Sequence, residues 1–365
     1  MTSREKEILE LIRKDPMITQ QKLAKKLGIT RSSIAVHIGN LMKKGYIKGK
    51  GYILKNEEYV TVIGGANIDI QGFGEELIYE DSNPGKVKMS LGGVGRNIAE
   101  NLVNIGINTK LITVVGDDIY GEKIFNECRV SGIDINYSVK LKEGRTSTYI
   151  SISEKGDMKL AVSDMDILDY MDVEYIRKIS DIINNSKIIV LDTNIPKDVI
   201  DYLVINFKDK KFFLDPVSST KAEKVKDIIG SFHTIKPNKY EAEILSGMKI
   251  KNRKDLKKAG DILIKKGVKK VYISLGKEGI FYSDGENSKI INNPKVDVIN
   301  ATGAGDAFLA GLVYSELNKF DCEKSAIFSM VASILALSHE DTINYNITVK
   351  NINKKIEELS MYERI

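Results

Sequence analysis

Residues 300–311 read NATGAGDAFLAG. Three small residues, Gly303, Ala304 and Gly305, lead into Asp306, and the apolar run 307–313 behind them predicts a helix. Glycines just ahead of a helix let backbone N–H groups turn toward one point, and the positive end of the helix dipole adds to their hold on an anion. A phosphate suits such a site. Asp306 at its mouth is placed to take the proton of a hydroxyl that attacks phosphorus, so the stretch predicts phosphoryl transfer. The same residues also suit a plain glycine-rich turn that opens a buried helix, with Asp306 only complementing the dipole.

Outward from that stretch, short apolar strands alternate with helices. KIIVLDTN (187–194), FFLDPV (212–217), TIKPN (234–238) and KKVYISLG (269–276) read as strands. Periodic stretches at 197–206, 222–229, 239–245 and 255–266 read as the helices between them. Alternation of this kind predicts an α/β fold, a mostly parallel sheet flanked by helices, whose ligands bind at the strand C-terminal ends. Asp192, Asn194, Asp215, Asn238 and Gly276 all fall at such ends. Further toward the N-terminus, LITVVG (111–116) reads as a strand, and helices are expected at 120–131 and 173–183.

The body begins with VTVIGGANIDIQGF (60–73), a strand closing on two glycines. Asn67 and Asp69 lie two apart, so both point to one side of an extended chain and can grip adjacent hydroxyls. No G-x-G-x-x-G leads into a helix here, which argues against a dinucleotide fold. GGVGRNIAENLVNIG (92–106) follows, with Gly92, Gly93 and Gly95 ahead of a helix whose first turn carries Asn97 and whose buried stripe is Ile98, Leu102 and Ile105. These glycines allow either close approach to a ligand or a tight strand-to-helix turn. Segments 70–91 and 146–163 show strand patterns without intervening helices and predict a small β lid.

Residues 1–55 differ in character. They hold 13 Lys and Arg against 4 Asp and Glu, a balance of +9, which leaves 5 − 9 = −4 for the remainder. A basic module joined to a mildly acidic body points to nucleic acid as a partner of the first part. Ile8, Leu9, Leu11 and Ile12 line one side of a first helix that Asp15-Pro16 ends. Thr19 caps a second helix that stops at Gly28, and Thr30 caps a third with Ile34, Ile38 and Leu41 inward. Arg31, Ser32, Ser33, His37 and Asn40 are left facing outward, where they could meet DNA in a major groove. YIKGKGYIL (46–54) reads as two short strands of a wing. This resembles the winged helix-turn-helix of bacterial transcription regulators; a three-helix dimerisation module would share the same pattern.

Composition narrows the setting. A hydrophobic fraction of 42% and a charged fraction of 29% fit a globular protein, and 365 residues predict one large core plus a smaller module. Cys128 and Cys322 alone make neither a disulfide framework nor a zinc site. The chain start lacks a signal-peptide core and no stretch has the length of a membrane span, so a cytoplasmic protein without membrane partners is expected.

Four motifs in order, GGVGRNIAENLVNIG, KPNKYEAEILSG (236–247), ISLGKEG (273–279) and NATGAGDAFLAG, resemble those of the ribokinase-like (PfkB) sugar and nucleoside kinases over residues 60 to about 340. Within that family DSNPGKVK (81–88), GGVGRNIAENL, VSDMDI (162–167), LDPVSS (214–219) and INATGAGDAF are similar to the bacterial pseudouridine kinase subgroup, some of whose members carry an N-terminal helix-turn-helix. The resemblance implies a kinase at 60–365 with lid segments near 70–91 and 146–163, and a DNA-binding domain at 1–55. It implies ATP as phosphoryl donor, Mg2+, and pseudouridine or a related nucleoside or sugar as acceptor. By position, Asn67, Asp69, Gly92, Gly93, Asn97 and Asn194 would hold the sugar, and Asp306 would be the base beside an anion hole of Gly303, Ala304 and Gly305. Asn238, Ser274, Gly276, Gly279 and Thr302, with Gly303 and Gly305, would contact the nucleotide, and Asn238 and Glu241 would order Mg2+ through water. Many family members carry Asp where this chain has Asn300, near a monovalent-cation site, so potassium activation is left open. Kinases of ribose, fructose, inosine or guanosine share the sugar-gripping residues, and a transcription regulator using a kinase fold as effector domain is the reading from another class. Two copies on paired half-sites are expected for useful DNA specificity, hence a homodimer.

Overall fold

The computed structural model describes residues 1–49, 58–155, 157–296, 298–300 and 302–362. It divides into two compact units, Met1–Glu57 and Glu58–Ile365.

The first unit holds three helices, Ser3–Lys14, Gln20–Leu27 and Arg31–Lys43. Each starts at a threonine whose hydroxyl accepts a backbone N–H: Thr2 from Glu5, Thr19 from Lys22 and Thr30 from Ser33. Gly28 ends the second helix in the left-handed region at φ 64°, where a side chain would be strained. Ile8, Ile12, Leu23, Ile34, Ile38 and Leu41 form a private core. The expected wing falls largely outside the described residues, beyond Gly49.

In the second unit an eight-stranded sheet runs in the order Ser288–Ile291, Ile280–Ser283, Lys270–Ser274, Thr234–Ile235, Lys211–Asp215, Ile188–Asp192, Val60–Ile63 and Thr109–Ile112. Six of these are parallel, and the two at the Ser288 edge form an antiparallel hairpin. Strand periodicity splits the side chains between the faces. Val60, Val62, Ile188 and Val190 enter one core with the helices Val94–Asn104, Ala304–Leu317 and Cys322–Leu337. Ile189, Leu191, Phe212 and Leu214 enter a second with Lys197–Asn206, Lys239–Ser246 and Arg253–Lys265. This is the expected ribokinase-like α/β architecture.

A separate four-stranded sheet, Lys86–Gly92, Asn67–Gly74, Thr148–Glu154 and Asp157–Asp164, is built from the segments expected to make a small β lid. Its register puts Asp69 in one row with Ser90, Tyr149 and Ser163, so the face carrying Asn67 and Asp69 is polar. The opposite face carries Val87, Met89, Ile150, Leu160 and Val162, all exposed.

Three expected elements break, one of them the helix read at 222–229, which is a short helix Ser219–Ala222 followed by the 3-10 turns Glu223–Val225 and Ile229–Ser231. LITVVG splits at Thr113: residues 109–112 join the main sheet, while Val114–Gly116 leaves to pair with Val139–Leu141. Ser138 bridges the divergence, its hydroxyl accepting the Thr113 N–H and donating to the Leu111 carbonyl. The helix expected at 173–183 is two short ones, Val173–Lys178 and Ser180–Asn185, meeting at Ile179.

Candidate active site

Helix Ala304–Leu317 is buried nearly all round, as its apolar composition demands. It begins at Gly303, whose φ of 82° is left-handed and whose side-chain space is filled by the Thr342 carbonyl, 2.4 Å from an added Cβ. Gly303 supplies no capping side chain, so the N–H groups of Ala304, Gly305 and Asp306 point out of the helix end. Thr302, exposed, donates its N–H to the Asn300 amide oxygen at 2.9 Å.

Asp306 is 7% exposed and accepts a 2.9 Å hydrogen bond from the Asn97 amide. Burial pushes its carboxyl up, Asp215 adds to the shift, and Asn97 and Lys236 oppose it, leaving it at about 7. A carboxylate so poised both holds and releases a proton near neutrality. Asn97 is steadied in turn by Arg96, which donates to its amide oxygen at 2.9 Å and to the Leu91 carbonyl at 3.2 Å. Arg96 is itself buried and paired with Glu100 one turn along.

The glycines between the first strand and helix Val94–Asn104 are there for close approach. An added Cβ at Gly93 would stand 2.5 Å from the Gly65 carbonyl, and one at Gly64 would stand 2.3 Å from Asp192. Gly92 leaves room for the Asp69 carboxylate, whose atoms lie 2.4 to 2.5 Å from where a Cβ would be. Asp69 accepts from the Asn67 amide at 2.6 Å. Burial holds the Asp69 carboxyl above its ordinary range, against the pull of Asn67 and Arg96. Asp192 is fully buried and takes the Gly65 and Asn194 N–H groups at 2.8 Å each, and Lys221 donates to the Asn194 side chain. Of the expected sugar-gripping residues, Asn97 touches Asp306, Asn67 and Asp69 pair beside Gly92, and Gly93 and Asn194 both pack against Gly65.

On the other side of the helix end, Asn238 and Glu241 form a capping box that starts helix Lys239–Ser246. The Glu241 carboxylate accepts the Asn238 N–H at 2.8 Å and its amide at 2.7 Å. Burial raises the Glu241 carboxyl, and nearby Asp215 adds to it. A cleft of about 790 Å³ opens beside them, lined by Asn238, Tyr240, Leu256, Ser274, Leu275 and Gly276. Gly279 sits apart from that lining, closing the turn into the hairpin with φ 114° against the Ile291 carbonyl.

A residue that sequence reading passed over, Lys236, joins the strand-end residue Asp215 here. Asp215 and Lys236 form an ion pair at 3.0 Å, both buried, behind the helix end. Burial by itself lowers the Lys236 ammonium, but Asp215, Asp306 and Glu241 outweigh it and hold the group charged. Lys236 stands directly before Pro237 in KPN, a position the sequence offers but gives no reason to read as buried. Among the described residues no cluster of three or more His, Cys, Asp or Glu forms a direct metal site.

In the basic unit the third helix exposes Arg31 and Ser32 together with Ala35 and Val36, the last 62% exposed. Ser33, His37 and Asn40, expected outward, are half-buried. Ser33 is drawn in by Thr30, which accepts its N–H at 3.1 Å and pairs with its hydroxyl at 2.8 Å.

Comparison with known proteins follows the same division. The pfkB family carbohydrate kinase model matches residues 57–348, and a winged helix-turn-helix DNA-binding model matches residues 1–48. An uncharacterised sugar kinase of Escherichia coli (strain K12) is 35% identical over 96% of this chain and 98% of its own length. Pseudouridine kinase of the same organism is 37% identical over 83% of this chain and 98% of its own. A crystal structure of a Clostridium perfringens protein superposes with a TM-score of 0.75 at 41% identity, covering 83% of this chain and 97% of that one.

Proposed function

The chain belongs to the pfkB family of carbohydrate kinases, and from that premise we propose that it transfers the γ-phosphoryl group of ATP to the 5′-hydroxyl of pseudouridine, giving pseudouridine 5′-phosphate and ADP. The observation that carries this reading is Asp306, a buried carboxylate near neutrality at the open end of a helix. Its proton acceptor stands beside an anion hole. In the step, the hydroxyl oxygen bonds to the γ-phosphorus and Asp306 takes its proton. The bond from phosphorus to the β,γ-bridging oxygen breaks, and its electron pair leaves with ADP. Asn67 and Asp69 grip the ribose hydroxyls, and Asn97 holds Asp306 toward them. Ser274 and Gly276 border the nucleotide cleft, with Thr302, Gly303 and Gly305 on the phosphate side.

The residues fit Mg2+ held through water rather than directly. Asp215 and Glu241 bring excess negative charge to the phosphate side, yet the Glu241 oxygens are already engaged by Asn238. When bound, the ion would neutralise charge on the β- and γ-phosphates.

Pseudouridine is favoured over other acceptors by the 37% identity to a pseudouridine kinase and by the polar lid face. Ser90, Tyr149 and Ser163 share the row of Asp69 and offer hydroxyls to a base. An assay of ADP release over pseudouridine, uridine, inosine, guanosine, ribose and fructose tests the reading. A preference for pseudouridine over uridine on the order of 10⁴ is expected if its N1–H is read by a buried acceptor. Equal activity on the two would leave a kinase of another substrate.

The winged helix-turn-helix model over residues 1–48 and the surplus of basic residues support DNA as the partner of the first unit. The exposed apolar lid face supports a homodimer in which two lids cover each other.

A further inference from the structure

The face that helix Arg31–Lys43 turns to solvent is not the polar one its sequence suggests. Ile34, Ile38 and Leu41 are buried, Ser33, His37 and Asn40 are half-buried, and water meets Arg31, Ser32, Ala35 and Val36 instead. Residues 31 and 35 lie one turn apart, as do 32 and 36, so these side chains make one patch near the start of the helix. Gly39 continues the same row, three and four residues beyond Val36 and Ala35. A Cβ added there would meet nothing within 4 Å, so packing inside the unit does not call for a glycine. Glycine is disfavoured in a helix interior, and its place in this row leaves room for something that approaches closely from outside.

The patch stands in a cationic field. No Asp or Glu occurs between Pro16 and Lys55, a stretch that holds nine Lys and Arg. The four carboxylates of residues 1–55, Glu5, Glu7, Glu10 and Asp15, all lie in the first helix or at its end. Lys22, Lys25, Lys26 and Lys43 are exposed. Such a surface attracts a polyanion, yet a phosphate offers nothing to a bare valine. The major groove of DNA offers both, because the C5 methyl groups of thymine line it between two rows of phosphates. RNA does not, since its major groove is too deep and narrow for side chains to read.

Resting on the DNA reading of the first unit above, we propose that Val36, with Ala35 beside it, reads thymine by packing on its methyl group. Apolar contact then sets the sequence preference, in place of the imidazole of His37 and the amide of Asn40. Gly39 lets the helix backbone come close to the base edges, and the lysines hold the flanking phosphates.

A change in the DNA tests this without disturbing the protein. The full chain selects duplexes from a pool with a randomised centre at about 50 mM salt, and each thymine of the selected site is replaced in turn by deoxyuracil, which removes the methyl and keeps every hydrogen-bonding group. At one thymine or more the wild type should lose about fourfold in affinity, the worth of one buried methyl group. Val36→Ser should bind the thymine duplex more weakly and should no longer distinguish it from the deoxyuracil one, so that the two losses do not add. Gly39→Ala, which favours the helix, should still weaken binding of the selected duplex at least fourfold, about one methyl contact or more. Indifference of the wild type to deoxyuracil at every thymine, a methyl effect undiminished in Val36→Ser, or wild-type binding by Gly39→Ala overturns the proposal and leaves DNA binding in place. Retention of no duplex at all removes the DNA reading and the proposal together.

Discussion

Asp306 links the chemistry of the site to its stability. The proposed base must be ionised to take a proton, so kcat/KM should rise with pH along a limb centred near the folded value of about 7. A flat profile across that limb would remove Asp306 from the role. The linkage to folding has the opposite sense. The folded state keeps the proton up to about 7 while the unfolded carboxyl releases it near the ordinary 3.8, so stability falls as pH rises across that window. Asp306→Asn removes this penalty. It should lower turnover by about two to four orders of magnitude and raise stability above pH 7 by up to roughly 4 kcal/mol. Thermal unfolding at low and high pH checks the second effect: the gain should be small near the acid end and full on the alkaline side. Arg96 and Glu100 enter at this scale as supports of Asn97, the residue that touches Asp306.

Turns and helix ends set where those residues stand. Gly92 ends a lid strand opposite Asn67, and its missing side chain is what lets Asp69 lie flat across the sheet. Gly92→Ala should push the carboxylate out of place and raise the nucleoside KM at least tenfold, on the order of what a displaced reactant-positioning group costs. Thermal stability should move little, since the strained partner is a side chain rather than backbone. An unchanged KM would detach Asp69 from the substrate. Asn300 acts as a tie between segments: its amide donates to the Glu340 carbonyl at 3.0 Å while its oxygen accepts the Thr302 N–H. A carboxylate in its place would face that carbonyl with no proton to offer and would need a cation between them. Turnover of the wild type should therefore be insensitive to exchanging potassium for a bulky organic cation, and Asn300→Asp should acquire dependence. A strict potassium requirement in the wild type would defeat this account.

At the scale of the molecule, two units, each with its own core residues, imply separable activities. The first unit packs Ile8, Leu23, Ile34 and Leu41 among themselves, and the residues proposed to hold ribose and phosphate all come after Glu58. Removing residues 1–55 should abolish DNA binding and leave kcat of the kinase within about twofold. Full-length protein should retain genomic fragments at low salt and release them with a slope of roughly −0.9 per phosphate neutralised. No retention at about 50 mM salt would favour a dimerisation role for the module. The lid supplies the second test. Val87 is 75% exposed and Val162 59% exposed on the apolar face. Charging both to Glu should convert a dimer to monomers in sedimentation while the polar face, and so the sugar contacts, stay intact. A wild type that sediments as a monomer would leave that face unexplained.

No helix among the described residues is long and apolar enough to cross a membrane, and that much was readable from hydropathy by itself. So were the capping threonines, the glycine stops, the alternation of strand and helix, and the glycine-flanked Asp306, because each rests on contacts within a few residues along the chain. The sequence also marked Asn67, Asp69, Asn97 and Asn238, since motif spacing and strand ends carry their own geometry. Lys236 and Arg96 were another matter, as was the pairing of Lys236 with Asp215, a residue the sequence marked only as a strand end. Their roles arise from burial and from charges brought together across the chain, Asn97 to Asp306 among them, and no local pattern encodes a desolvated field. The third helix makes the same point: periodicity put Ser33, His37 and Asn40 outside, whereas the cap and neighbouring helices draw them half in and leave Ala35 and Val36 bare. Local hydrogen bonding and period determine the elements, but which side chains lose water, and therefore which charges matter, is decided only when the elements pack.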